Sequence, residues 1–287
     1  MSAKTTLLKG LGASATAGTV ATGGFFAWKG LSQTSDITSR LTGEGLSVAD
    51  VNKKGPWRVI YLTKKDVEGF SDFVDASDQE NAVSQLQKKC SELLSASPQD
   101  ENYEKSYEQV KKWCVNPELK TIEMQFVFDE REWAAAGDDF KSLFTLHQND
   151  GNFINAVQSS TGFFNASMVL DEAKTEVETW CNSLKSKTPE GDDLQNAVSW
   201  CTKPESNFKS FMDKKGFRML NESEWASRFS SLKGGQDSDL STDVSDDDSD
   251  GSKLKGWCEG KKLDTVQIHT LGSDLNKIEA RCFVKKE

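Results

Sequence analysis

Val110-Lys-Lys-Trp113-Cys114-Val-Asn-Pro117 and Ala197-Val-Ser-Trp200-Cys201-Thr-Lys-Pro204 are two versions of one phrase. Each has an apolar residue four positions before Cys, Trp directly before it and Pro three positions after. The spacing of four puts the apolar residue and the Cys on one helix face. The Pro then ends the helix. The same spacing recurs at Leu86–Cys90, Val177–Cys181, Leu254–Cys258 and Ile278–Cys282. Trp180 and Trp257 also precede Cys, while Lys89 and Arg281 take that place in the other two copies.

The chain thus places its six Cys in one local setting. Nothing here has zinc-ligand spacing, because there is no CxxC and no His cluster. Six equivalent sites also do not make six nucleophiles. Two readings remain. Outside the cell, Cys90, Cys114, Cys181, Cys201, Cys258 and Cys282 form three disulfides, each worth roughly 3 kcal/mol through the unfolded chain. Inside it, they are reduced and pack as small apolar groups. Six Cys allow 15 pairings, and the recurring intervals favour one pair per repeat.

Other features repeat between the Cys. Strand-like runs at 57–62, 122–128 and 216–220 lead into capping-box spacings at Thr63/Asp66, Asp129/Glu132 and Asn221/Glu224. The alternation at 122–128 predicts a half-buried strand. Leu263 to Leu271 reads as a weaker fourth run. Helical spacing covers 78–95, 101–115, 169–187 and 192–201. The expected fold is α+β and predominantly helical. It has two or three duplicated small modules, each a short strand, a capped helix and a helical hairpin with a Cys pair. The divisions are 1–30 for a signal anchor or signal peptide, 31–55 for a polar linker, and 56–118, 119–205 and 206–287 for the modules. The last of these carries a disordered acidic loop at 235–252.

Gly10 to Trp28 is uncharged and Lys-flanked, about the minimum length for a bilayer span. Five Gly and four Ser or Thr make it weakly apolar. Phe25, Phe26 and Trp28 suit an interfacial anchor. The leading expectation is a single-pass membrane protein held through residues 10–28, with its C-terminal region outside. A signal peptide cleaved at Ala15-Thr16-Ala17, which would release the chain, fits the same residues. So does a flexible Gly-rich tail.

The net charge is −10. Residues 237–250 contain seven Asp and no Lys or Arg, so the remainder is close to balance. No clustered basic patch marks a nucleic-acid binder, and no nucleic acid is expected as a partner. Asp246, Asp248, Asp250 and Gly251 match the first half of a calcium loop. The second half fails, with Trp257 where a bidentate Glu belongs. Calcium is therefore a weak candidate cofactor, and a charge-repelled loop is the plainer reading. No GxSxG, HExxH or P-loop lysine motif occurs. His147 and His269 are isolated, so no catalytic residue is assigned.

A short, Lys-flanked, Gly/Ala/Thr-rich N-terminus before a polar, Trp–Cys-bearing body resembles the large paralogous protein families of haemotropic mycoplasmas. The resemblance implies a wall-less parasitic bacterium and surface-exposed, antigenically variable paralogues. It carries no functional residues over. The function expected is that of a non-enzymatic surface protein that contacts a host-cell surface protein or serves as a variable antigen. The alternatives are a calcium- or ligand-binding module using residues 237–251, or an enzyme with an unrecognised carboxylate site.

Overall fold

The computed structural model describes residues 35–286 apart from Ala76, Gln236 and Asp246. The predicted anchor at 10–28 lies outside the described residues. Among those described, no helix is long and apolar enough to cross a membrane.

The chain is predominantly helical, and its buried apolar side chains gather into three cores. The first is built from α1 (Ile37–Gly43), α2 (Gly55–Lys64), α3 (Phe70–Phe73), α4 (Gln79–Leu94) and α5 (Tyr103–Trp113). The second uses α6 (Ile122–Phe128), α7 (Gly137–His147), α8 (Gly151–Thr161), α9 (Leu170–Leu184) and α10 (Gly191–Trp200). The third uses α11 (Phe208–Lys214), β1 (Phe217–Met219), α12 (Trp225–Lys233), α13 (Leu240–Asp243), α14 (Ser252–Gly260), α15 (Leu275–Cys282) and β2 (Phe283–Lys285).

Each core opens with a seven-residue helix whose start is fixed in the same way. The side chains of Asp36, Thr121 and Asn207 accept the backbone N–H of Ser39, Met124 and Ser210. That satisfies one of the N–H groups a helix start leaves open. The buried residues are Ile37 and Leu41, Ile122 and Phe126, and Phe208 and Met212, one turn apart in each helix. A short backbone pairing then joins the start of each core to its end. Val48 pairs antiparallel with Val115, Trp133 with Thr202, and Met219 with Phe283. Beside these pairs, the N–H groups of Ala49, Ala134 and Leu220 donate to the carbonyls of Cys114, Cys201 and Cys282.

The disulfides are Cys90–Cys114, Cys181–Cys201 and Cys258–Cys282, with Cα separations of 5.7, 5.6 and 5.9 Å. Each ties two helices or helix ends within one core, and no cysteine is free. The helices expected over 78–95, 101–115, 169–187 and 192–201 correspond to α4, α5, α9 and α10.

The strand expectations fare unevenly. Residues 217–219 form β1, which pairs with β2. Residues 57–62 instead lie in α2, where Pro56 sits in the first turn and Trp57, Val59 and Ile60 are buried. Residues 122–128 form α6, not a strand. Only Ile122 and Phe126 of its alternating apolar residues are fully buried, and that pair has helical spacing. Residues 263–271 run into a 3₁₀ turn, Ile268–Asp274. The expected caps divide likewise. The Glu224 carboxylate does accept the Asn221 N–H at 2.5 Å. Thr63 sits in the last turn of α2 and donates to the Val59 carbonyl. Asp129 follows α6, and α7 is capped by Asp139, which accepts the N–H groups of Ala135 and Ala136.

Two further expectations need correcting. The stretch 31–55, read as a polar linker, contains α1 and the paired residue Val48. The acidic stretch 235–252, read as a disordered loop, contains α13 and the start of α14. Leu240 and Val244, one helical turn apart, are buried in the third core and hold the acidic stretch there.

Candidate functional site

The residue before each Cys has a place in the fold. In the second core Trp180 and Trp200 precede the bridged Cys, and their rings meet at 6.0 Å. In the third, Trp257 lies under the Arg281 guanidinium at 4.7 Å. In the first, the Lys89 ammonium sits 5.5 Å over Phe73, which stacks on Trp113 at 6.0 Å. Trp, Lys and Arg at these positions thus share one feature: each joins an aromatic or cation–π contact in its own core. This explains why Lys89 and Arg281 stand where other copies have Trp.

Arg281 also organises the acidic segment. Its side chain is 0% exposed. Nη2 donates to Asp237 at 2.8 Å and Nη1 to Asp243 at 2.7 Å. Lys277, one turn earlier on α15, reaches Asp239 at 2.9 Å and Asp243 at 3.1 Å. The Arg281 hydrogen bonds hold both Asp237 and Asp243 below the ordinary carboxylate range. Burial alone would lower the Arg281 pKa, but its two acid partners raise it. Three of the seven aspartates are therefore tied to α15 and are not spread in solution.

The calcium candidates behave differently from one another. Asp246 lies outside the described residues. Asp248 is buried, and its Oδ2 accepts the Leu254 N–H in the first turn of α14 at 2.9 Å. Its Oδ1 is buried without a hydrogen-bond partner, next to a cavity of about 270 Å³ lined by Ser230, Lys233, Asp247 and Ser249. Asp250 accepts the Ser252 N–H at 3.0 Å. Gly251 has φ +76°, and a Cβ there would lie 2.3 Å from the Trp225 carbonyl carbon. Its lack of a side chain lets α14 approach α12, a requirement unrelated to any ion. Among the described residues, no group of three or more His, Cys, Asp or Glu is arranged to hold a metal ion.

A larger cleft of about 590 Å³ runs along residues 202–206, between the second and third cores. Its lining is charged, but the charges are engaged with one another. Lys203 pairs with Glu132 at 2.6 Å, and Lys214 with Glu205 at 2.7 Å. Glu130 turns away to accept the N–H groups of Lys54 and Gly55 at 2.6 and 3.0 Å. Those two backbone bonds hold its carboxyl below the usual range. The cleft is a seam of ion pairs, with no acid–base set converging on one point.

Among the described residues, the most exposed large apolar side chains are Phe163, at 67%, and Val169, at 65%. Both lie in the loop between α8 and α9. This loop belongs to residues 151–170, twenty positions with no charged side chain. Composition alone did not single it out, because the run is neither periodic nor long in strongly apolar residues.

No family model matches the chain, and no curated protein or solved structure gives a match.

Proposed function

We propose that this chain is a membrane-anchored surface protein without catalytic activity, held through residues 10–28 and presenting three duplicated, disulfide-stapled modules outside the cell. The observation that carries the reading is the bridging of all six Cys, one pair inside each core. Structural disulfides persist in oxidising surroundings and are rare in a reducing cytosol.

Duplication is supported by matched positions. Ala49, Ala134 and Leu220, which bond to the second Cys of each core, lie twelve residues beyond the first residue of α1, α6 and α11. The side-chain caps at Asp36, Thr121 and Asn207 fall in register with them. On this reading the first module begins near residue 36, so the chain between anchor and first module is short. The apolar loop with Phe163 and Val169 is the part most suited to contact a host-cell surface protein or to be seen as an antigen.

Protease shaving of intact cells tests the location, and the chain is expected to be lost from the surface. Intact mass before and after reduction is expected to differ by about six hydrogens, for three bridges. Full protection from protease, or no mass change, overturns the proposal.

A second reading, cation binding by the acidic segment, has one observation in its favour: the unpartnered Oδ1 of Asp248. Calorimetry at millimolar calcium decides it. On the leading proposal no heat is expected, and saturable binding lost in Asp248→Asn would establish the second reading.

A further inference from the structure

The sequence holds two histidines, and both sit where the second core meets the third. α7 makes that contact. Its Leu146 packs into the third core, and the turn Ile268–Asp274 lies against the helix. His269, in that turn, has only 12% of its side chain exposed. Its Nδ1 is 3.5 Å from Ser142 Oγ, and its Nε2 is 3.9 Å from Asp138 Oδ1, both on α7. His147 ends α7. Its ring packs on Phe153, with centroids 5.6 Å apart. From the third core, Lys215 at the end of α11 projects its charge onto His147, and Asp150 opposes it from the second.

We propose that this joint is acid-sensitive: it is closed near neutrality and opens when His147 takes up a proton. A neutral imidazole suits a site that is largely buried against Phe153. A protonated one puts a charge into surroundings that screen it poorly, where Lys215 of the third core opposes it and Asp150 offsets only part of the burial cost. The other charges nearby are already engaged. On α7, Asp139 caps its own helix and Lys141 pairs with Asp171 of α9. Lys174 of α9 pairs with Glu178. On α11, Lys214 pairs with Glu205 and Asp213 with Lys286. Glu279 of α15 lies 3.9 Å from Lys215, and Asp274 in the turn pairs with Lys261.

Burial pushes the His147 pKa down to about 4; the Asp150 charge offsets part of that, and Lys215 adds a smaller push downward. The folded joint therefore holds this proton roughly 300-fold less tightly than an ordinary His. A depressed pKa contributes stability above the unfolded value near 6.5, and that contribution is lost as the pH falls through about 4.

With only two imidazoles to assign, proton NMR of the oxidised full-length chain follows each one directly, while small-angle scattering reports its dimensions. His147 is expected to titrate near pH 4, with an increase in radius of gyration at the same midpoint. His147→Phe keeps a ring against Phe153 and should remove that expansion. The same expansion at the same midpoint in His147→Phe overturns the proposal, as does His147 titration with no change in dimensions. Should His147→Phe fail to fold, Lys215→Met provides the second test: the His147 midpoint must rise, and an unchanged midpoint overturns the proposal.

Discussion

Arg281→Ala is expected to destabilise the third core by about 3–5 kcal/mol, among the largest effects of any single substitution in the chain. The guanidinium is fully buried and answers Asp237 and Asp243 at once. Removing it strands the Asp237 carboxylate, leaves Asp243 with Lys277 alone, and takes from the Trp257 ring one of its two cations, Lys261 being the other. The loss should appear in urea unfolding as a lower midpoint. A triple variant, Arg281→Met with Asp237→Asn and Asp243→Asn, should recover most of it, because replacing a whole buried ion cluster costs far less than breaking it. If Arg281→Ala unfolds at the same urea concentration as the parent, the Arg281 clamp contributes nothing and the acidic segment is held by its other contacts, Leu240 and Val244 in the core, Lys277, and the Asp248–Leu254 hydrogen bond.

The second large effect is expected at Gly55→Ala, where the first core meets the second. A Cβ there would lie 2.2 Å from the Phe128 carbonyl oxygen and 2.7 Å from that of Val127. Both are backbone atoms at the end of α6, so no side chain can rotate away. α2 must back off from α6, and Glu130 must release the Lys54 and Gly55 N–H groups it now accepts. A cost of about 3 kcal/mol is expected, at the upper end for overpacking. Gly151→Ala is the matched control. It also starts a helix, has an ordinary φ, and has no atom within 4 Å of the added methyl. That change should leave the urea midpoint within the equivalent of about 1 kcal/mol. Equal midpoints for Gly55→Ala and Gly151→Ala would show that α2 and α6 are not in tight contact.

The reach of sequence reading can be judged element by element. The hairpins carrying the Cys were legible because an apolar residue one turn before each Cys fixes both the helix and its buried face. The recurring intervals only favoured one pair per repeat among the fifteen possible pairings, and the disulfides take that arrangement. The strand expectations failed at 57–62 and 122–128, where short apolar runs satisfy both periods and only the caps decide. Thr121, accepting the Met124 N–H, was the missed cue. The helix α1 was hidden in polar sequence, since Ile37 and Leu41 are its only buried side chains. Its cue was a side-chain cap followed by two apolar residues four apart, the pattern that α6 and α11 share. The acidic segment misled because its composition argues for solvent. Arg281 and Lys277, which neutralise it, come some forty residues later in the chain. Of the site residues, the six Cys were visible as a class. The histidine-lined joint was not, because it exists only once α7 meets the turn at 268–274.

The antiparallel pairings at Val48/Val115, Trp133/Thr202 and Met219/Phe283 have an evolutionary consequence. Chain entry and chain exit lie side by side in every core, so the distance spanned in the fold does not depend on how many residues lie between. The interval from entry to first Cys can lengthen, shorten or turn over in sequence without moving the flanking units apart. Crossovers falling at these paired positions would exchange whole interiors between related genes and keep the ends matched. A chain built this way can diversify by recombination as readily as by point substitution, and each exchanged interior would arrive with its own disulfide.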